Sequence, residues 1–213
     1  MRPILPHKPV VQKLVGKYVS LELFNVERDA QLLWERTNGS PCSLGSKHVD
    51  SYDAEEVVWR YMFNSPQSDF EAFKNSLSDL VNGQNSNMYV VNDLESNTPV
   101  GAVGLINNFP QHLKIEMGNI FYSPLAQRTW ANTEATYLVL KYLFSLGYRR
   151  VEWKCDSLNQ RSRQAALKNG FTFEGIQEYH FIIKDKNRDT AWFRILDKEW
   201  ESVKQHLEKR LSY

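Results

Sequence analysis

The hydrophobic positions of this chain follow two periods, and the points where the period changes divide it into elements. Tyr18–Leu23 alternates Tyr, Val and Leu with Ser and Glu, which predicts a strand. Glu27–Thr37 carries Ala30, Leu33 and Trp34 at helical spacing, and Asn38-Gly39 stops it. Asp53–Phe63 is expected to form a second helix, capped by Asp53 and with acids in its first turn, where they suit the helix dipole. Asp69 is expected to cap a third helix. Its stripe is Phe70, Phe73, Leu77, Leu80 and Val81, and Gly83 ends it.

The period then falls to two. Asn87–Val91, Pro99–Ile106 and His112–Tyr122 are β-rich runs, the first two joined by the turn-forming stretch Asp93–Thr98. They predict an antiparallel meander. After Ser123-Pro124 the pattern turns helical, with Ala135, Leu138, Val139, Tyr142, Leu143 and Leu146 as an apolar stripe closed by Gly147. Arg150–Cys155 reads as a strand, and Asn159–Asn169 as a helix ended by Gly170. Phe171–Phe173, Tyr179–Ile183 and Thr190–Leu196 read as further strands, before a mostly solvated terminal helix at Glu199–Leu211. The strand–helix–strand order over Ser123–Cys155 demands a crossover, and hence a parallel pair. The expectation is one α/β (α+β) domain over residues 16–213, a mixed sheet with helices on both faces, preceded by a loose arm over residues 1–15.

Composition removes several alternatives. With 213 residues the chain can bury a substantial core. Its 26 basic and 25 acidic side chains leave a net charge of +1, which gives no reason to expect nucleic acid or an anionic membrane as partner. Every apolar run is broken by charge before spanning length, and the proline-rich start lacks a secretory apolar region, so a cytoplasmic location is expected. Cys42 and Cys155 make neither a metal spacing nor a disulfide framework, and no metal is expected. Asn38-Gly39-Ser40 then reads as a turn rather than a glycosylation site.

Phosphate-loop, zinc-protease and nucleophile-elbow spacings are all missing. Gly101-Ala-Val-Gly104 is half of a dinucleotide fingerprint and falls inside a strand, where small residues serve close packing. The turn Ser123–Ala135 carries more information. A helix that starts directly after a strand presents unpaired N–H groups and its positive dipole end, which is an anion site, and Arg128 adds charge there. An ordinary cap by Thr129 or Asn132, with Glu134 as first-turn acid, explains the same residues.

A second patch, Asp156–Gly175, carries Asn159, Ser162, Gly170-Phe171 and Glu174-Gly175 in order. With Gln127, Thr133-Glu134-Ala135 and the late segment Arg188–Trp192, these residues resemble the GCN5-related N-acetyltransferase superfamily, and within it the ribosomal-protein acetyltransferase-like branch. The likeness covers roughly residues 15–200. It implies a mostly antiparallel sheet of about seven strands with a splayed parallel pair in the middle. It also implies acetyl-CoA as acyl donor, attacked directly by a primary amine on a small molecule or peptide. A homodimer is compatible with this, and so is a silent coenzyme-A-binding domain of the same fold. Gln127, Arg128, Thr129, Trp130, Ala131, Asn132 and Thr133 correspond to the pyrophosphate turn, although the family's two glycines are here Trp130 and Asn132. Ile120, Phe121 and Tyr122 correspond to the pantetheine and oxyanion strand, and Asn159 to a pantetheine partner. The tyrosine that many members use as general acid is here Ala166, which leaves Ser162.

Acyl transfer to an amine needs a proton acceptor, an oxyanion donor and help for the leaving thiolate. A thiol of pKa about 8.5 leaves with little assistance. Glu116 is the candidate base, with a surface strand residue facing Lys114 as its plain alternative. Ser162 is the candidate acid, with a capping-region role as its alternative. Weak provision of bases favours an acceptor that loses its proton readily, such as an N-terminal amine of pKa about 7.7–8.0 over a lysine of about 10.4. His48, His112 and His180 have no partner spacing.

Overall fold

The computed structural model describes residues 4–10, 13–81, 83 and 85–213. Ten strands and five helices run in the order β1 (Lys13–Val15), β2 (Val19–Leu23), α1 (Val26–Glu35), β3 (Cys42–Leu44), β4 (Lys47–Val49), α2 (Phe70–Val81), β5 (Asn87–Asp93), β6 (Thr98–Phe109), β7 (Lys114–Tyr122), α3 (Ala131–Leu146), β8 (Arg150–Asp156), α4 (Gln160–Lys168), β9 (Thr172–Ile183), β10 (Lys186–Leu196) and α5 (Trp200–Leu211). Eight strands form one sheet in the order β1-β2-β5-β6-β7-β8-β10-β9, and β3-β4 is a separate hairpin. Every pairing in the large sheet is antiparallel except β7 with β8, the pair that the crossover through α3 requires.

Strand alternation sends side chains to two cores, one on each face of the sheet. In β5, Met88 and Val90 join Leu33, Trp59, Phe73 and Leu77 beneath α1 and α2. Tyr89 and Val91 join Leu138, Leu143, Leu207 and Leu211 beneath α3 and α5. One stripe of α5 is therefore docked, with Trp200 stacked on Phe144 at 5.0 Å. Helix ends follow their local chemistry. The Asn25 side chain accepts from Arg28 N–H, that of Asp69 from Ala72 N–H, and Gly147 closes α3 at φ 96°. The Asn38 side chain accepts from Ser40 N–H, so the sequon is a turn.

The differences from expectation have physical causes. Asp53–Phe63 does not become a full helix. Asp53 does cap Glu56 N–H at 3.1 Å, but only a single wide turn over Glu55–Trp59 forms. The Trp59 ring is drawn into the core, its Nε1 donating to Thr37 O at 2.8 Å, and the Trp59 carbonyl accepts from Met62 N–H in a tight closing turn and from Lys184 Nζ. The separate strands Phe171–Phe173 and Tyr179–Ile183 are one strand, β9, whose pairing with β10 shifts register twice. Those bulges break the alternation that would have shown its continuity. Of the N-terminal arm expected to be loose, residues 1–3 and 11–12 lie outside the described residues, and residues 5–9 are held: Pro9 O accepts from Asn87 and Tyr89, Asn108 donates to Pro6 O and His7 O, and Leu5 is buried. β1 and the β3-β4 hairpin were too short for periodicity to reveal.

Candidate functional site

β7 and β8 pair only from Lys114–Met117 against Arg150–Trp153, and beyond that point the strands part. A cleft of about 980 Å³ opens there, at the upper end of the size range for small-molecule sites. Its walls are β7, the turn into α3, β8 with α4, the Glu55–Phe63 segment, and the β9-β10 hairpin. The Glu55–Trp59 turn ties the two lips together. Val57 O accepts from Gln127 Nε2 at 3.2 Å on one side and from Arg161 Nη1 at 3.4 Å on the other. Lys184, at the hairpin tip, reaches Glu55 at 2.7 Å.

Of the thirteen residues singled out by sequence reasoning, all but Ala131 line this cleft. In the turn into α3, several N–H groups are engaged internally: Ala126 and Gln127 donate to Ser123 O, Thr129 to Ala126 O, and Ala131 to Thr129 Oγ1 at 3.1 Å. Thr129 thus holds the turn just before α3, whose N-cap residue, Trp130, makes no side-chain cap bond. The N–H groups of Arg128, Trp130, Asn132 and Thr133 have no hydrogen-bond partner among the described residues. Arg128 adopts the left-handed conformation at φ 61°, while Trp130 is right-handed at φ −74°. The backbone therefore has no need of glycine at position 130. The Trp130 ring stacks on Tyr18, with centroids 6.4 Å apart.

Along β7, the ladder with β6 is interrupted between Ala102 and Gly104 by a bulge, with Asn119 at φ 49°. Asn119 was not foreseen as a site residue, although Asn is the residue type that tolerates this conformation, so a weak signal was present. The side chains of Phe121 and Tyr122 leave the cleft for the core. Phe121 packs on Trp59 at 5.1 Å, and the Tyr122 ring fills the space that a side chain at Gly101 would occupy. Burial pushes the Tyr122 phenol far above its ordinary range, so it stays protonated in the core.

Glu116 is buried at 3 % exposure, not a surface strand residue. It pairs with Lys154 Nζ at 2.7 Å and accepts from Asn107 Nδ2 at 2.8 Å; Lys114 lies 3.4 Å from Glu152 instead. Glu116 is the sole carboxylate lining the cleft among the described residues. Across the gap, Asn159 caps α4 through Ser162 N–H at 3.0 Å, and Ser162 Oγ accepts from Trp153 Nε1 at 3.0 Å. The indole occupies an Oγ lone pair, and the hydroxyl lies within hydrogen-bonding reach of the Cys155 thiol. Ala166 is fully buried in the core. Burial pushes the Cys155 thiol up, against the pull of the nearby Ser162 hydroxyl, which argues against an acyl-cysteine route. Arg188 and Lys154 also line the cleft, and sequence reasoning missed both roles. No group of three His, Cys, Asp or Glu is placed to hold a metal, and no helix is long and apolar enough to cross a membrane, among the described residues.

The arrangement matches known proteins. Residues 46–172 fit the family model described as an acetyltransferase (GNAT) domain. A GCN5-related N-acetyltransferase from Brucella melitensis is 34 % identical, covering 98 % of this chain and 87 % of that one at a TM-score of 0.84. A probable GNAT-family acetyltransferase from Chromobacterium violaceum is 33 % identical, covering 94 % and 93 %, at 0.82. A spermidine N-acetyltransferase from Vibrio cholerae, in complex with CoA and spermine, shares the fold at 18 % identity, covering 86 % and 98 %, at 0.65. No curated protein matches the sequence. The splayed parallel pair, the donor-rich turn beside it and these matches have one reading: the chain belongs to the GCN5-related N-acetyltransferase (GNAT) family.

Proposed function

We propose that the protein is an N-acetyltransferase that moves an acetyl group from acetyl-CoA to a primary amine by direct attack, both substrates being bound together. The observation that carries this reading is the row of unpaired N–H groups at Arg128, Trp130, Asn132 and Thr133 beside a cleft opened by parting strands. Such a row suits a pyrophosphate, with the α3 dipole and the Arg128 side chain adding positive charge. Thr129 and Ala131 shape the turn, and Gln127 fixes it to Val57 O and Tyr122 O. The open edge of β7 over Ile120–Tyr122, with Asn159 opposite, suits the pantetheine arm. Bound acetyl-CoA supplies the activated acetyl group. In this reading Glu116 receives the amine proton, a main-chain N–H of β7 stabilises the oxyanion, and Ser162 donates toward the departing sulfur. The order Asn159, Ser162, Gly170 and Glu174 favours the ribosomal-protein acetyltransferase-like branch, and a cytoplasmic location goes with it. The mixed ionic character of the surface offers no handle for nucleic acid.

Acetyl-CoA is expected to raise the melting temperature by mass action, and thiol is expected to be released when an amine panel is added. Asn132→Pro, in the first helical turn where proline is tolerated, deletes one free N–H and is expected to weaken acetyl-CoA about tenfold or more. Asn132→Ala keeps that N–H and is expected to stay within about twofold of the parent. Equal losses in both variants would move the contact to the side chain, and no thermal shift in the unmodified protein would sink the reading.

Ser162→Ala is expected to lower kcat toward the low end of the roughly 10²–10⁴-fold range for acid–base groups, with the affinity for acetyl-CoA kept. The effect is small because thiolate leaves readily. Full turnover at saturating acetyl-CoA would reduce Ser162 to a partner for Trp153.

A further inference from the structure

Arg188 is 7 % exposed, yet its Nε and Nη1 have no hydrogen-bond partner among the described residues. It sits in β10 opposite Phe181 of β9 and lines the cleft beside the hairpin. Its guanidinium lies 4.7 Å from the Phe63 ring centroid and 5.7 Å from that of Phe181, and those two rings meet edge to face at 5.4 Å. Apolar rings thus cover the guanidinium and offer its N–H groups nothing to bond. Asp156 and Glu116 are near enough to favour its charge, but neither reaches those donors; desolvation outweighs them and holds Arg188 below its ordinary range. Glu116 is already engaged by Lys154 and Asn107, and Lys184 by Glu55.

A buried guanidinium with unmet donors is costly, and a carboxylate accepting from its planar fork of donors is the strongest remedy. The charge count decides which anion fits. Lys154 and Lys184 are each ion-paired where they stand, so beside the hairpin Arg188 is the cation whose donors no carboxylate among the described residues reaches. A single carboxylate balances it, whereas a doubly charged phosphate would remain half unpaired. A polyamine would bring like charge toward Arg188.

We propose that Arg188 is a specificity-determining anchor for a carboxylate on the acceptor, so that the amine acetylated belongs to an amino-carboxylate, either a free amino acid or a short peptide with a nearby acidic group. This rests on the acetyl-transfer reading above. It also explains why one part of the cleft joins an unpaired cation to the Glu116 carboxylate: the first holds the acid end of the acceptor while the second faces its amine.

The test pairs acids with their neutral forms. Acetyl-CoA binding is read first by thermal shift. Thiol release is then measured with free amino acids against their methyl esters, with peptides bearing an acidic second residue against their amidated forms, and with spermidine. Acids are expected to exceed their neutral counterparts about 100-fold in kcat/KM, with the difference mainly in KM and spermidine poorest. The better of the two acid series identifies the source of the carboxylate. Arg188→Met is expected to bring the acid-to-ester ratio close to one while the acetyl-CoA shift is retained, and Arg188→Lys to restore only part of it, since the charge returns without the fork. The comparison on the unmodified protein stands even if a variant misfolds. Acids and esters reacting alike, or spermidine reacting best, with the thermal shift intact, would overturn the anchor and leave acetyl transfer standing. Loss of the shift in a folded Arg188→Met protein would reassign Arg188 to the donor side. Absence of the shift in the unmodified protein would remove both proposals.

Discussion

Glu134→Ala is expected to destabilise the protein by about 3–5 kcal/mol, making it the most damaging single substitution to stability proposed for this chain. Glu134 is fully buried at the start of α3, where the helix dipole favours its charge. Its carboxylate accepts from the main-chain N–H groups of Lys17 at 2.8 Å, Tyr18 at 2.7 Å and Val19 at 2.7 Å, and from the Tyr213 hydroxyl. One side chain therefore fastens the entry of β2 and the C-terminal tyrosine to the helix that presents the donor-rich turn. Lys17 is exposed and can turn to water, so the cost falls on Tyr18, Val19 and the emptied space. The same carboxylate accounts for Gly16, since a Cβ there would collide with it in the parent protein. At roughly 2–4 °C per kcal/mol for a chain of this size, the melting temperature should fall by about 10 °C. Because Glu134 is not itself among the residues lining the cleft, acetyl-CoA should still stabilise the folded variant. A melting temperature within a degree or two of the parent would show that water replaces the carboxylate without penalty. The family motif that includes Thr133-Glu134-Ala135 thus holds a residue whose work is structural, beside neighbours that face the cleft.

The sequence disclosed those parts of the site that are built locally. Asn159 and Ser162 are three residues apart and meet through a helix cap, so spacing alone placed them together. The parallel pair followed from the crossover through α3, and Gly147 and Gly170 ended helices as glycines at positive φ do. What stayed hidden depends on strands meeting at long range. Nothing near Glu116 in the chain says that Lys154 crosses to it, because the pair forms only after β7 and β8 align side by side. Arg188 is equally silent: its burial comes from Phe63, far away in the chain, and from a β9 whose bulges scramble the alternation. Periodicity alone supported a longer helix than the single turn over Glu55–Trp59, which Lys184 meets at Glu55 and at Trp59 O. The left-handed Asn107 and Asn119 lay between these cases. Asparagine permits such a conformation, but only the opposing β6–β7 ladder shows that a bulge is there.

Glu116→Gln is expected to lower kcat/KM for the acceptor by about 10²-fold or more at neutral pH while acetyl-CoA affinity is kept. The size of the loss should depend on pH in a way that a structural role would not produce. An amine attacks only as the free base, so a proton acceptor matters most below the amine's own pKa. As pH rises through that pKa, about 7.7–8.0 for an α-amine and near 10.4 for a lysine-like one, solvent removes the proton and the variant should approach the parent. The deficit should therefore close at lower pH for α-amines than for lysine peptides. Geometry gives the same residue a second job, since Glu116 neutralises Lys154. The neutral amide of the Glu116→Gln variant would leave that half-buried ammonium beside Trp192 at 4.4 Å with weaker compensation. Asn107→Ala separates the two jobs. It removes one hydrogen bond at 2.8 Å from the carboxylate but keeps both the carboxylate and the ion pair, so its rate should stay within about tenfold of the parent. A deficit in Glu116→Gln that holds constant from about pH 6.5 to 9.5, a window spanning the α-amine range, for both classes of amine, would leave Glu116 as the buried partner of Lys154 and pass the proton to a chain of water. The measurement is a pair of pH–rate profiles, parent and variant, with melting temperatures taken across the same range to keep unfolding apart from chemistry.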